Sequence, residues 1–316
     1  MGKLAFLYAG QGSQKTGMGK DLYTDYPEFA EAFDSAELSF DLHEVCFENP
    51  GNILLQTEFT QPALAAFACG VSAILNNLGI EPDYVCGLSL GEYSALHYSG
   101  VWDTKTTIEI VASRGRYMAD ASTGIDCGMT AIMNMDAETI NECCRKASKL
   151  GIVSICNYNC PGQIVIGGNK VAVDEAARLC KQVGAKRCLP LPVSGPFHTQ
   201  YMAAAGEKLA DLFKTIDFHQ MQIPVLFNVL GEESEGQSVQ ELLISQVQSP
   251  VKMEKTITNL FAKGVDRFVE IGPGKTLSSF VKKTATGLSI DKYECYSLES
   301  TEDVELLKDK TDQLRG

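Results

Sequence analysis

The sequence predicts an α/β protein in which a small β-α-β-β-α-β unit interrupts a larger α/β unit. Between residues 127 and 194, apolar segments of strand and helix length alternate in the ferredoxin-like order. Before and after this stretch, short apolar strands alternate with longer helical segments. We therefore expect residues 1–126 and 195–316 to form one large subdomain, residues 127–194 to form a small subdomain, and a cleft to lie between them.

Apolar periodicity, glycine and proline set the expected boundaries of each element. In the first part of the chain we expect strands at 3–9 and 83–86 and helices at 22–40, 62–78, 92–98 and 104–121. In the small unit we expect strands at 129–134, 152–157, 163–166 and 187–191 and helices at 137–149 and 171–183. In the last part we expect strands at 225–229 and 268–271 and helices at 199–215, 239–246, 253–262 and from 275 onward.

The composition is that of a globular protein with a large core, since 45% of the 316 residues are hydrophobic and 21% are charged. A formal net charge of -13 disfavours nucleic acid as a partner, because nucleic-acid binding relies on basic residues. No apolar run reaches the roughly 18 residues of a membrane span. The 11 cysteines form no C-x-x-C pair, and we expect no signal peptide, because the apolar run at 4–9 is too short for the apolar core of one. We expect a cytoplasmic monomer with reduced thiols, without a metal site and without nucleic acid or membrane as a partner.

The segment Gly87-Leu88-Ser89-Leu90-Gly91 has the G-x-S-x-G pattern of a nucleophile elbow. Three fixed positions can arise by chance in a chain with 28 glycines, and the alternative is an ordinary Gly/Ser loop. The context favours the elbow, because an apolar strand precedes the motif and a helix follows it, as the elbow requires. We predict Ser89 as a nucleophile.

A nucleophilic serine needs a base, and the candidates are four histidines: His43, His97, His198 and His219. His97 lies eight residues after Ser89 on the same predicted helix, about 12 Å along its axis, which is too far for contact. His198 follows a turn-forming segment at the return from the small unit to the cleft, and we predict it as the base. No acidic residue between Ser89 and His198 stands out as a third member of a triad.

The first strand runs into Gly10-Gln11-Gly12-Ser13-Gln14. This loop fits neither nucleotide fingerprint, since Lys15 replaces the third glycine of G-x-G-x-x-G and Met18 replaces the lysine of a phosphate-binding loop. Two interpretations remain open: a simple tight turn, or a loop whose backbone amides hold an anionic oxygen.

Arg114 lies on the apolar face of the predicted helix 104–121, so its guanidinium is expected to point into the protein. Such an arginine is usually a member of a structural ion pair. In a serine acyltransferase it could instead bind a substrate carboxylate with two hydrogen bonds.

Over nearly its whole length the chain resembles the malonyl-CoA:acyl carrier protein transacylase family. Eight blocks in the family's order carry the resemblance: Gly10-Gln11-Gly12-Ser13-Gln14, Thr60-Gln61-Pro62-Ala63, Ser89-Leu90-Gly91-Glu92-Tyr93, Arg114-Gly115, Asn157-Tyr158-Asn159 with Pro161-Gly162-Gln163, Pro192-Val193-Ser194 with Phe197-His198, Gln246 before Ser249-Pro250-Val251, and Glu270-Ile271-Gly272-Pro273-Gly274. The resemblance implies an α/β-hydrolase-like catalytic subdomain with an inserted ferredoxin-like subdomain.

The resemblance also implies a role for each matching residue. Ser89 would be the nucleophile and His198 the base, oriented by the main-chain carbonyl of Gln246. The backbone amides of Gln11 and Leu90 would form the oxyanion hole. Arg114 would bind the malonyl carboxylate in a substrate pocket completed by four further residues: Gln61, Met118, Asn157 and Phe197.

Malonyl-CoA and acyl carrier protein are the implied substrates, with no cofactor, in fatty acid biosynthesis. One position departs from the family pattern, since Leu88 stands where the family usually has a histidine before the serine. A standalone acyltransferase of polyketide synthesis would share every residue named here. A serine esterase or thioesterase on the same scaffold would use the same Ser89 and His198 but would not need Arg114 to bind a carboxylate. Docking of an acidic carrier protein would need a local basic patch, for which six residues are candidates: Lys181, Lys186, Arg187, Lys275, Lys282 and Lys283.

Overall fold

A computed structural model describes residues 2–310. The first part of the chain forms two strands and five helices: β1 (Lys3–Tyr8), α1 (Lys20–Asp25), α2 (Pro27–Phe33), α3 (Thr57–Asn77), β2 (Tyr84–Gly87), α4 (Gly91–Tyr98) and α5 (Thr104–Ser122). A short π-helix, Glu44–Glu48, and a 3₁₀ helix, Pro50–Leu55, lie between α2 and α3.

Two of the expected helices in this part are corrected by the structure. The helix expected at 22–40 is wrong as one element, because Tyr26 precedes a proline, adopts an extended conformation and separates α1 from α2. Residues after Phe33 do not continue the helix. The helix expected to begin at Pro62 begins five residues earlier, at Thr57, and Pro62 lies in its second turn.

The small unit has the expected order β3 (Cys127–Met133), α6 (Ala137–Ala147), β4 (Val153–Cys160), β5 (Gln163–Asn169), α7 (Lys170–Gln182) and β6 (Arg187–Leu191). Its strands form one antiparallel sheet in the order β4-β5-β3-β6. Apolar residues spaced three and four apart on α6 and α7 pack on one face of this sheet, which gives the unit its own core. The predicted ferredoxin-like order is therefore confirmed.

The last part of the chain contains α8 (Ala203–Phe213), α9 (Val239–Gln246), α10 (Met253–Ala262), β7 (Val265–Ile271), α11 (Thr276–Gly287), β8 (Glu294–Leu298) and α12 (Thr301–Lys308). The helix expected at 199–215 begins only at Ala203, after a 3₁₀ turn. The strand expected at 225–229 is wrong, because Val225 forms a single bridge to Val85 and the chain then turns. The elements β8 and α12 were not predicted.

The large unit is organised around a parallel sheet in the order β2-β1-β7-β8. Its central strand β1 is almost completely buried, as expected for a parallel strand with helices on both faces. Tyr8 at the end of β1 pairs with Gly87 of β2 and Ile271 of β7. The loops after these three strands therefore meet at one edge of the sheet, where ligands bind in open α/β sheets.

Helix α3 crosses the middle of the large unit and contacts α2, α4 and α5. Its length and composition would suffice for a membrane span, but 83% of that stretch is buried inside the protein, as in the core helix of a globular domain.

The small unit is joined to the large one by backbone hydrogen bonds between β4 and the segment before α10. Tyr158 N–H donates to Val251 O, and Val251 N–H donates to Cys156 O.

Candidate active site

Ser89 lies between the end of β2 and the start of α4, in the sharp turn that the sequence predicts. Its φ angle is 55°, a left-handed conformation that is strained for a residue with a side chain. A Cβ atom at Gly87 would overlap the backbone of Gly91, and one at Gly91 would overlap the carbonyl group of Tyr8. Both flanking glycines are therefore required by close backbone approach, and the turn holds the Ser89 hydroxyl at the edge of the sheet.

The side chain of His198 lies next to this serine, with its Nε2 2.8 Å from Ser89 Oγ. The other ring nitrogen, Nδ1, is 2.9 Å from the main-chain oxygen of Gln246. Because a carbonyl oxygen only accepts, Nδ1 carries the proton and Nε2 is free to accept the serine proton. The carbonyl group of Gln246 thus occupies the place that an acidic residue takes in a Ser-His-Asp triad.

His198 is buried, with 4% of its surface exposed, in the segment that returns from the small unit. Burial, followed by the positive charge of Arg114, lowers the pKa of His198 to about 4. The imidazole is therefore neutral at physiological pH, which is the state that a general base requires.

The other three histidines do not contact Ser89. His97 Nδ1 lies 3.0 Å from the main-chain oxygen of Trp102, and His43 Nε2 lies 2.7 Å from a carboxylate oxygen of Asp34. His219 is exposed and its backbone N–H donates to Val101 O.

Arg114 on α5 is completely buried, as its position on the apolar face predicts. Its guanidinium donates to Gln61 Oε1 at 2.6 Å, to Gln246 Oε1 at 2.9 Å and to Ser89 Oγ at 3.0 Å. The group also lies over the ring of Tyr93, at 5.2 Å from the ring centre. Within residues 2–310 no carboxylate forms a salt bridge with it, so the structural ion pair considered from the sequence is absent from this part of the chain.

The backbone N–H groups of Gln11 and Leu90 are candidate oxyanion donors. Neither has a hydrogen-bond acceptor among residues 2–310. Gln11 belongs to the loop after β1, and its side chain is fixed because Nε2 donates to Thr57 Oγ1 at 3.0 Å. Leu90 directly follows Ser89 and is buried. Two free N–H groups from neighbouring strand ends are the usual components of an oxyanion hole in an elbow enzyme.

A cavity of about 350 Å³ opens above Ser89, between the two units. Seven of the residues predicted for the site line it: Gln11, Gln61, Ser89, Met118, Asn157, Phe197 and His198. Leu88 also lies on its wall and is only half-buried. Leu90, Arg114 and Gln246 lie behind the wall and reach the site through their backbone or polar atoms.

The wall that α11 contributes to the cavity was not predicted; it consists of Thr276, Leu277 and Phe280. Asn159 also lines the cavity, and its buried Oδ1 has no hydrogen-bond partner within residues 2–310. Asn159 belongs to the sequence block that includes Asn157, and this block was the available signal.

Sequence reasoning also missed two residues behind the elbow. Asn228 Oδ1 accepts a hydrogen bond from Ser89 N–H at 2.7 Å, and the backbone N–H of Asn228 donates to Glu92 Oε2 at 2.5 Å. Burial raises the pKa of Glu92 to about 8. Glu92 lies within a recognisable motif, whereas no pattern in the sequence marks Asn228.

A serine on a strand-to-helix elbow, hydrogen-bonded to a buried histidine in a cleft, defines the class of serine-dependent acyl-transfer enzymes. Residues 5–305 match the family described as acyl transferase domain. Taken with the close relatives described next, this match shows that the chain belongs to the malonyl-CoA:acyl carrier protein transacylase family.

Two curated relatives are named malonyl CoA-acyl carrier protein transacylase. The one from Bacillus subtilis (strain 168) is 43% identical over 287 residues, which are 90% of each chain. The one from Staphylococcus aureus (strain MRSA252) is 37% identical over 308 residues, which are 96% of this chain and 98% of the relative.

Solved structures agree with the sequence relatives. The transacylase of the same name from Clostridium perfringens is 40% identical, superposes with a TM-score of 0.92, and the match covers 99% of this chain and 98% of that one. Another neighbour is a malonyl-transacylase in complex with its type II polyketide synthase acyl-carrier protein, at 35% identity and a TM-score of 0.91, with 98% and 99% of the two chains covered. The α/β fold with its inserted small unit is therefore confirmed.

Proposed function

We propose that this enzyme transfers the malonyl group from malonyl-CoA to the phosphopantetheine thiol of an acyl carrier protein, in fatty acid biosynthesis. The transfer is ping-pong and passes through a malonyl ester on Ser89. The observation that carries the proposal is the arrangement around the Ser89 hydroxyl, which faces the neutral base His198 and a fully buried cation, Arg114.

In the first half-reaction, His198 accepts the Ser89 proton while Oγ attacks the thioester carbonyl carbon of malonyl-CoA. The tetrahedral oxyanion accepts hydrogen bonds from the N–H groups of Gln11 and Leu90, and one such donor is typically worth about 2.7 to 4 kcal/mol in the transition state. His198 then gives its proton to the sulfur of coenzyme A as the carbon–sulfur bond breaks. The main-chain oxygen of Gln246 keeps the imidazole oriented in both steps.

In the second half-reaction, His198 accepts the proton of the phosphopantetheine thiol, and the sulfur attacks the malonyl ester. Collapse of the second oxyanion returns the proton to Ser89 Oγ and releases the malonyl thioester. Water has to be excluded from the malonyl ester between the two half-reactions, since hydrolysis would release free malonate instead of transferring the malonyl group. Apolar cavity residues such as Met118, Phe197 and Phe280 support this exclusion.

Arg114 supplies the preference for a dicarboxylic acyl group. Without substrate its guanidinium donates one hydrogen bond to Ser89 Oγ. A malonyl carboxylate is a stronger acceptor, because it is charged. A hydrogen bond to a charged group is worth about 1.5 to 3 kcal/mol, whereas an acetyl group leaves the buried cation without a counter-charge.

Intact-protein mass spectrometry tests this function directly. Wild-type enzyme mixed with malonyl-CoA should gain one malonyl group, and a pantetheinylated carrier protein added afterwards should remove it. The Ser89→Ala variant should gain nothing. Free malonate without an adduct or a transfer would instead identify a hydrolase.

A carrier protein of polyketide synthesis is a second candidate acceptor, because one structural neighbour is bound to such a carrier. Comparing kcat/KM for a fatty-acid carrier and a type II polyketide carrier decides between them. We expect the fatty-acid carrier to be preferred, and a higher value for the polyketide carrier would reassign the pathway.

The carrier is proposed to dock over the six basic residues suggested by the sequence, all of which are exposed. Lys283 Nζ donates to Gln163 Oε1, and Gln163 pairs across the small sheet with Met133, which pairs with Arg187. Lys283 and Arg187 therefore lie at the end of the small sheet where Gln163 lines the cavity. An acidic carrier would approach this end, and the same charge complementarity would raise its association rate.

Lys283→Glu should raise KM for the carrier severalfold, with a larger effect at low salt, and should leave the rate of acylation by malonyl-CoA unchanged. Lys149→Glu is the matched control, since Lys149 is exposed before the opposite end of β4. An equal effect of the two variants would contradict the proposed docking surface.

We also propose that the enzyme works as a monomer in the cytoplasm, where its 11 free thiols stay reduced.

A further inference from the structure

The backbone of the strained residue Ser89 is held by two side chains from distant parts of the chain. Asn228 Oδ1 accepts a hydrogen bond from Ser89 N–H at 2.7 Å, and Gln246 Nε2 donates one to Ser89 O at 2.8 Å. Gln246 already has a place in the site through its main-chain oxygen. Asn228 has none, because it does not line the cavity.

Asn228 is itself fixed at all of its polar groups. Its Nδ2 donates to Gly87 O at 2.6 Å, its backbone N–H donates to Glu92 Oε2, and its carbonyl oxygen accepts from Lys252 N–H at 2.9 Å. Its side chain is almost completely buried, so water does not compete for these bonds. The side-chain amide of Asn228 thus connects the last residue of β2 with Ser89, and its backbone N–H connects it with the first turn of α4.

We propose that Asn228 is a positioning residue that sets the orientation of the Ser89 peptide group. Holding Ser89 N–H fixes the turn so that Oγ points at His198 and the next N–H, that of Leu90, points into the oxyanion hole. The role requires both ends of the amide, an acceptor for Ser89 N–H and a donor for Gly87 O. This inference rests on the proposed function only in taking Ser89 as the nucleophile.

Substitutions at Asn228 test the acceptor and the donor of its side-chain amide separately. Asn228→Asp keeps an acceptor for Ser89 N–H but places a carboxylate oxygen against Gly87 O, where it repels. Asn228→Ser keeps a small hydroxyl group that cannot span both partners. Asn259→Asp is the matched control, because Asn259 Nδ2 also donates to a main-chain oxygen, that of Gly231, but on α10 away from the elbow.

The test measures the rate at which Ser89 reacts with a fluorophosphonate, in which Oγ attacks phosphorus and fluoride leaves. This probe needs the elbow and the base but no malonyl group or carrier. Asn228→Asp should label about 10- to 100-fold more slowly per folded molecule, because a small misplacement of reacting groups has effects of this size. Asn259→Asp should label at the wild-type rate, and the concentration of malonyl-CoA that half-saturates acylation in single-turnover experiments should stay unchanged in Asn228→Asp.

Two results would overturn the proposal. One is a wild-type labelling rate in folded Asn228→Asp, and the other is an equal loss in Asn259→Asp, which would indicate a general structural role. If Asn228→Asp does not fold, Asn228→Ser is judged by the same criteria. Failure of the wild-type enzyme to form a malonyl ester would reject the proposed function, while the labelling comparison would still decide the role of Asn228.

Discussion

Strands β2 and β7 of the large sheet both end in a turn that leads into a helix, but different residues take the strained conformation. After β7 the positive φ angles fall on Gly272 and Gly274, at 138° and 87°. After β2 the positive φ angle falls on Ser89. Glycine reaches this region at little cost, whereas serine is strained there. The chain therefore has a strained residue in the turn that holds the proposed nucleophile and only glycines at positive φ in the other turn.

Each turn also has a buried glutamate beside it. Glu270, on β7, accepts hydrogen bonds from Leu277 N–H, Ser278 N–H and Ser278 Oγ at the first turn of α11. Glu92, on α4, accepts one from Asn228 N–H, and its Oε1 has no partner within residues 2–310. Burial raises the pKa of both carboxyl groups, to about 8 for Glu92. Both carboxyl oxygens of Glu270 therefore have hydrogen-bond donors, whereas among residues 2–310 Glu92 has a donor only at Oε2.

The largest expected effect comes from Arg114, the buried cation of α5 that donates a hydrogen bond to Ser89 Oγ. Arg114→Ala should lower kcat/KM for malonyl-CoA by about 10- to 150-fold, since it removes a charged hydrogen bond worth about 1.5 to 3 kcal/mol. The ratio of malonyl to acetyl transfer should fall with it. Arg116→Ala is the matched control, because Arg116 is exposed on the same helix. Equal losses with malonyl-CoA and acetyl-CoA in Arg114→Ala would contradict a carboxylate-binding role.

The second effect concerns pH and His198, the proposed base. A histidine with an ordinary pKa near 6.5 would lose about thirtyfold of its neutral form between pH 8 and pH 5. His198, with a pKa lowered to about 4, stays neutral over this range and titrates only below it. The rate of Ser89 acylation in single-turnover experiments should therefore be nearly flat from pH 8 to pH 5. An inflection near pH 6.5 would show that burial does not control the base.

The third effect is the pH dependence of stability, which should differ between substitutions of Glu92 and Glu270. A carboxyl group whose pKa is raised on folding keeps its proton in the folded state while the unfolded chain releases it. Stability is then lost as pH rises from about 4.5 to about 8, by up to about 1.4 kcal/mol per pH unit from Glu92. Glu92→Gln keeps the acceptor for Asn228 and should be more stable than wild type at pH 8 but not at pH 4.5.

Glu270→Gln should behave in the opposite way, because an amide NH₂ would face the N–H and O–H donors of α11. We expect it to be less stable than wild type at every pH. Urea unfolding of wild type and both variants at several pH values measures the difference. A loss of stability in Glu92→Gln at pH 8 would show that the two carboxyl groups have the same role.

The smallest expected effect is the strain itself. Replacing Ser89 by glycine should make the protein more stable than replacing it by alanine, by about 1 kcal/mol, because only alanine has a Cβ atom in the left-handed conformation. Thermal unfolding of the two inactive variants measures this difference. An equal melting temperature would mean that the hydrogen bonds from Asn228 and Gln246 remove the cost of the conformation.

Much of the fold and of the site follows from the sequence, because its signals are local. Apolar periodicity gave the small unit, and the glycines at 87 and 91 marked the elbow. The small number of histidines pointed to His198. The position of Arg114 on the apolar face of the predicted helix 104–121 predicted that Arg114 is buried. Errors arose where local patterns compete, as at the residue before Pro27, which divides the first helical region in two.

Only the tertiary structure decided which distant groups meet. Residues 89, 114, 198 and 246 lie on separate elements, and their contacts depend on how the parallel strands align and how the small unit returns the chain. The expected strand at 225–229 is not formed, and Asn228 instead bonds to Ser89 and Glu92. A single asparagine carries no periodic signal, so its role appears only when packing brings it to the elbow. Sequence determines the local conformations that are possible, and packing selects the partners that satisfy buried polar groups.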